Sequence, residues 1–204
     1  MQLRHLLLPL LMALGNAAPA APAPYVPEPY RFTRVETVPQ SGIAVPLDGK
    51  TVKPGDFITT RSLNGEWSFS GVVNSAKPFP ADADLDSGFM KPEFDASGWG
   101  KIAVPLNWFQ KYPQARKPSE PYTKGLYRTS FELSAAELKG HRVILGFDCV
   151  GYEAKVFLNG KEVGNHHGDF TPFEIDATDA AKAGCNVLAL RVFSSFGRAH
   201  GLKE

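Results

Sequence analysis

An excess of charge of either sign is the first thing this sequence lacks: 22 Lys and Arg stand against 21 Asp and Glu, a formal net charge of +1 in 204 residues. A chain so balanced has no field with which to gather nucleic acid or an anionic membrane, so neither is expected as a partner and a neutral one is. A long hydrophobic run is also missing. The longest candidate, Leu6 to Leu14, falls well short of the roughly twenty residues that cross a bilayer. Cysteine is scarce, with Cys149 and Cys185 alone. Two readings of the pair stand open. In an oxidising compartment they can bond, which would contribute roughly 3–4 kcal/mol in the chain-entropy model; otherwise they are small apolar side chains at strand ends.

Several chemistries are missing as well. There is no Gly-x-Ser-x-Gly elbow, no phosphate-binding loop and no Asn-x-Ser/Thr acceptor. His166, His167 and Asp169 form the one cluster that suggests a metal. Adjacent histidines point apart on an extended chain, and His5, His141 and His200 show no ligand spacing around them, so no metal and no cofactor is expected.

What is present begins with Arg4, the apolar stretch Leu6–Leu14 and a small-residue zone at Ala17–Ala20. That three-part order is a secretory signal over residues 1–20, which places the protein outside the cytoplasm, secreted or periplasmic. Residues 21–41, with Pro22, Pro24, Pro27, Pro29 and Pro39, read as an extended linker. The domain proper is expected over 42–204, with room for one well-buried core and not for a second large domain.

Short alternating runs then dominate. Val143, Leu145 and Phe147 alternate with Ile144, Gly146 and Asp148; Ala154–Leu158 follows; Asn159-Gly160 supplies two positive-φ residues for a hairpin turn into Lys161–Val163. Phe173 and Ile175, then Val187–Val192, continue the rhythm. Upstream, Phe57–Thr60 reads as an edge strand, Trp67 and Phe69 share a strand face, and Tyr127, Thr129, Phe131 and Leu133 share another. Ser134 and Glu137 are spaced as a capping box for one helical turn. Residues 71–92 carry no periodicity, and Leu106–Pro121 is irregular and bears Trp108, Phe109 and Tyr112. Strands this short and frequent predict an all-β antiparallel sandwich or barrel.

Six motifs stand in order: Leu63-Asn64-Gly65-x-Trp67-x-Phe69, Phe94-Asp95-x-Ser97-x-Trp99, Val104-Pro105, Gly125-x-Tyr127-Arg128, Asn159 to Gly164, and Gly168 to Asp176. Together they resemble the N-terminal sugar-binding domain of glycoside hydrolase family 2, the β-galactosidases, β-glucuronidases and β-mannosidases, over about residues 58–193. The resemblance implies a jelly-roll (galactose-binding-like) β-sandwich. In the family an immunoglobulin-like sandwich and a (β/α)8 barrel follow it, and the barrel supplies an acid/base and a nucleophilic glutamate. No Asn-Glu dipeptide of the family's acid/base type occurs here, so the chain resembles part of a retaining β-glycosidase that lacks its barrel and both glutamates.

By the same resemblance Asn159 reaches a sugar site, His167 and Asp169 line its rim, and the partner is a β-linked carbohydrate together with a missing or separately encoded barrel. The other reading of Asn159 is that an Asn-Gly turn requires it. Trp108, Phe109 or Tyr112 would stack on a sugar ring if the chain were a free-standing carbohydrate-binding module; Trp108 plugging the sandwich edge is the competing reading. The family's acidic residue after the last strand has no match in Ser194–Arg198, and the closing Gly-Ile-Tyr-Arg-like strand does not follow. The expectation is therefore a non-catalytic scaffold domain truncated at its C-terminal end, with a carbohydrate-binding module and a purely structural sandwich as rival readings.

Overall fold

The computed structural model describes residues 33–39, 58–73, 87–112 and 122–194. The expected signal, most of the expected linker and everything past 194 lie outside them. Two antiparallel sheets face each other. One has four strands in the order β2 (Thr59–Ser62), β1 (Thr33–Pro39), β6 (His141–Phe147), β9 (Phe173–Asp176). The other has six: β4 (Gly100–Val104), β3 (Gly65–Val73), β5 (Tyr122–Leu133), β10 (Gly184–Phe193), β7 (Glu153–Leu158), β8 (Lys161–His167). This is the all-β jelly-roll sandwich that the strand rhythm and the resemblance led one to expect.

Period-two alternation decides which side chains meet between the sheets. Val143, Leu145 and Phe147 of β6 are buried against Trp67 and Phe69 of β3 and Leu188, Leu190 and Val192 of β10 in one apolar cluster. Trp67 and Phe69 are therefore core residues. Strand β1 corrects the linker assignment. Proline count alone reads Thr33–Pro39 as extended linker, yet Val35 is buried and the strand pairs with β6 from Thr33↔Phe147 to Pro39↔His141. No proline falls between Thr33 and Val38, and alternation of Thr33, Val35 and Thr37 with Arg34 and Glu36 is what that segment obeys. The domain thus begins before residue 42. Arg34 on the outer face holds Glu36, Asp148 and Glu174 at 2.9, 3.1 and 2.6 Å.

A second apolar layer corrects another expectation. The aperiodic stretch ending at Pro92 includes Phe89, which is 0% exposed, and Met90; with Phe94 and Trp99 they cover Leu126, Phe157 and Ala189 on the outer face of the six-stranded sheet. Nothing periodic marks this turn, because it is held from below. The buried guanidinium of Arg128 donates to the carbonyl oxygens of Phe89 and Lys91 (3.0 Å to the latter), with longer contacts of 3.5 Å to Pro92 and Phe94. It also lies 5.5 Å from the Phe94 ring centre. Burial pulls the Arg128 pKa down, opposed by the Glu93 carboxylate; the ring of carbonyls supplies the acceptors that a desolvated cation needs.

The capping box forms as spaced. Ser134 Oγ accepts from Glu137 N (3.2 Å) and the Glu137 carboxylate accepts from Ser134 N (2.7 Å), opening the one-turn helix α2 (Ala135–Leu138). These bonds, with Arg61 beside them, hold the Glu137 carboxyl below its ordinary pKa.

The short helix α1 (Trp108–Lys111) sets the indole of Trp108 down on Gly125 of β5. A Cβ added at Gly125 would stand 2.5 Å from that ring and 2.8 Å from Phe69. Gly125→Ala is expected to destabilise the domain by about 1–3 kcal/mol through overpacking, read as a lower urea midpoint. Gly98→Ala, where nothing lies within 4 Å, is the control and should leave the midpoint unchanged.

Candidate functional site

The Asn-Gly turn forms as expected, with φ of 52° at Asn159 and 87° at Gly160. The Asn159 side chain turns inward. Its Oδ1 accepts from Val187 N (2.9 Å), and its Nδ2 donates to Ala180 O and to Asn186 Oδ1 (2.8 Å each). Asn186, 0% exposed, accepts a further bond from Lys182 N (2.9 Å) and donates to Lys182 O (2.7 Å) and Gly184 O (2.9 Å). Two amides so placed brace the β7–β8 turn against the start of β10, each with its donors and acceptors engaged.

A cleft lies at the other end of β10, about 17 Å away at strand rise. It has a volume of about 780 Å³. Its floor is core: Trp67, Phe147, Leu190 and Val192 are all buried. Trp108 and Phe109 of α1 make one wall. Leu106, 37% exposed, and Phe170, 87% exposed, stand at the rim. Helix α1 is placed by Asn107, whose side chain accepts from Phe109 N at 2.9 Å.

Asp169 brings the only carboxylate among the described lining residues. The Cys149 thiol donates to the Asp169 carbonyl oxygen (2.7 Å), and Gly151 leaves the carboxylate its space, since a Cβ there would meet Asp169 Oδ1 at 2.5 Å. Burial, then the charges of Asp169 and Asp148, push the Cys149 pKa up, which keeps the sulfur a thiol and a poor nucleophile. The phenol of Tyr127, also lining the cleft, is likewise raised, by desolvation first and by Tyr112 second.

Of the residues singled out in the sequence, Trp108 and Asp169 come together here, while Asn159 and His167 do not line the cleft. Trp108 is no exposed platform: it is 4% exposed and packs against Phe69, Phe109 and Tyr127 at ring-centre distances of 6.0, 5.7 and 6.3 Å. Its indole N–H has no hydrogen-bond partner among the described residues. His167 is exposed, with Nε2 3.5 Å from Glu153 and its ring edge-on to Tyr152. His166 instead stacks on Phe173 at 4.0 Å. Cys149 and Cys185 are both free and exposed. Cys185 pairs with Glu132 at the start of β10 whereas Cys149 sits at the cleft beyond its end, so roughly 25 Å of strand separates them, far outside bridging range. Phe170 was not foreseen, because a phenylalanine in a Gly-Asp-Phe-Thr-Pro turn belongs to no alternating run.

Two facing antiparallel sheets with an aromatic-walled, sparsely charged cleft at one end make this a jelly-roll β-sandwich. The chain belongs to glycosyl hydrolases family 2, whose sugar binding domain matches residues 60–198. It is 32% identical over 166 residues to a β-galactosidase of Photobacterium profundum, covering 74% of this chain and 15% of that protein. Over 164 residues it is 32% identical to the β-galactosidase large subunit of Leuconostoc lactis, covering 65% and 25%. Among solved structures it resembles the Bifidobacterium dentium β-glucuronidase complexed with coumarin-3-O-glucuronide, at 30% identity and a TM-score of 0.52, covering 64% of this chain and 19% of that one. The chain thus spans a quarter or less of the length of these relatives.

Asn159→Ala should cost about 2 kcal/mol by leaving the buried Asn186 amide and Val187 N–H short of partners, seen as a lower urea midpoint. His167→Ala, at an exposed ring, should stay within about 0.5 kcal/mol of the parent.

Proposed function

We propose that this chain is the non-catalytic sugar-binding and scaffold sandwich of an exported, β-galactosidase-like family 2 glycoside hydrolase, and that it works beside a catalytic barrel on β-linked carbohydrate. One observation carries the division of labour. Retaining hydrolysis needs two carboxyl groups about 5–5.5 Å apart, one to protonate the leaving oxygen and one to attack the anomeric carbon, whereas the described lining of this cleft offers Asp169 alone. In this reading the domain contributes a wall and the barrel contributes the chemistry. Export rests on the Arg4, Leu6–Leu14 and Ala17–Ala20 pattern.

A free-standing carbohydrate-binding module is the second reading, favoured by the open cleft and by Phe170 at its rim. Calorimetric titration with galactose, mannose and glucuronate separates the two. Heat from the chain alone supports a module; heat only after addition of a family 2 barrel supports a scaffold.

The purified chain should release no nitrophenol from nitrophenyl β-glycosides. Turnover that disappears in Asp169→Asn would overturn the non-catalytic assignment. Expression in a secreting host should yield a mature protein beginning shortly after Ala17 or Ala20 outside the cytoplasm, and retention of Met1 in a cytoplasmic product would refute export.

A further inference from the structure

The β7–β8 turn joins a geometric need to a chemical liability. A two-residue hairpin turn needs positive φ at both positions, and Asn159 and Gly160 supply 52° and 87°. The same dipeptide leaves an asparagine amide open to attack by its own backbone, because glycine has no Cβ to shield the Gly160 nitrogen from the Asn159 side-chain carbon. Asparagine counts among the thermolabile residues. Gly160 N is engaged in no hydrogen bond among the described residues, so the nucleophile is present.

The fold withholds the electrophile. Attack of Gly160 N on Asn159 Cγ turns that carbon from planar to tetrahedral and draws it out of the amide plane, so Oδ1 and Nδ2 must leave their partners. Those partners are Val187 N–H on Oδ1 at 2.9 Å, and Ala180 O and Asn186 Oδ1 on Nδ2 at 2.8 Å each. The main chain is fixed as well, since Asn159 N donates to Val187 O at 2.9 Å. Asn186 cannot follow the movement, being fully buried and tied to Lys182 and Gly184.

We infer that Asn159 is a latent deamidation site, shut in the folded chain by this lock and opened when the turn comes away from β10. Gly160 N then closes on Cγ, its proton passes to solvent base, and Nδ2 departs as ammonia to leave a cyclic imide. Water opens the imide at either carbonyl, giving Asp or isoAsp at 159. A carboxylate only accepts hydrogen bonds, so the oxygen in place of Nδ2 would face Ala180 O and Asn186 Oδ1, two acceptors. In the isoaspartyl product the main chain is also longer by one carbon. The modified turn cannot re-form the brace between the β7–β8 hairpin and β10, and the loss is permanent.

Mass spectrometry of peptides from the full chain, aged at mildly alkaline pH, tests this with the chain's other Asn-Gly pair, Asn64-Gly65, as reference. In denaturing urea the two asparagines should deamidate at similar rates. In the folded chain Asn159 should be about a hundredfold slower than in urea, three hydrogen bonds contributing about fivefold each. Asn186→Ala removes one acceptor from Nδ2 and should restore about fivefold of that rate, with Asn64 unchanged. Where that variant unfolds, the parent chain supplies the same test: in sub-denaturing urea, hydrogen exchange at the Val187 amide should rise in parallel with deamidation at 159. The deamidated fraction, separated by charge, should unfold at a lower temperature than the intact chain.

An Asn159 that stays intact in urea, or that deamidates as fast folded as unfolded, overturns the proposal. So does a folded Asn186→Ala chain with the rate at 159 unchanged, or Val187 exchange that rises without deamidation. A deamidated chain with the parent's thermal midpoint overturns the loss of the brace.

Discussion

The pairing of β5 with β10 is the constraint on which the rest depends. It runs in register from Gly184↔Leu133 to Phe193↔Lys124, and directly paired residues of antiparallel strands share a face. One register therefore sends Phe131, Tyr127, Leu188, Leu190 and Val192 inward and Leu126, Arg128, Ala189 and Arg191 outward. A slip of one residue would exchange the two sets. Of the inward set, Tyr127, Leu190 and Val192 line the cleft. The outward set makes the platform on which Phe89 and Met90 rest and carries the Arg128 that holds their turn in place.

Both ends of β10 are committed as well. At its start, Val187 N–H and Asn186 lock onto Asn159, so the β7–β8 hairpin cannot shift along the sheet without breaking buried amide bonds. At its end, Ser194 N donates to Thr123 O and Tyr152 N donates to Phe193 O. This ties the 149–152 segment, and through the Cys149 thiol the backbone of Asp169, to the same strand. The Asp169 backbone is thus placed by the Cys149 thiol and by the neighbouring bond from Gly168 N to Tyr152 O.

Alternation made much of this legible beforehand, because the inward residues of β3, β5 and β6 announce their face by spacing, whereas β7 and β10 were legible as strands without a face, β10 being nearly continuously apolar and buried. The failures have physical causes. Prolines around Thr33–Val38 masked a six-residue alternation that contains none. Phe89 lies in a turn fixed by an arginine nearly forty residues away, which no local pattern can encode. Asn159 satisfies a turn and a ligand role equally well in sequence, and the decision comes from Ala180, Asn186 and Val187, brought to it only by folding. The cysteines look pairable until strand length separates them.

Trp108 shows the same limit from another side. An aromatic in an irregular segment is ambiguous between platform and plug, and Gly125 resolves it: the missing Cβ across the sheet admits the indole to the inner face, where the ring packs against Phe69 and Tyr127. Burial gives the ring its packing energy but strands its N–H, which costs free energy unless an acceptor arrives. Packing wins that exchange: among the described residues the indole nitrogen is one of two buried polar side-chain atoms without a partner, and the ring contacts with Phe69, Phe109 and Tyr127 offset the cost.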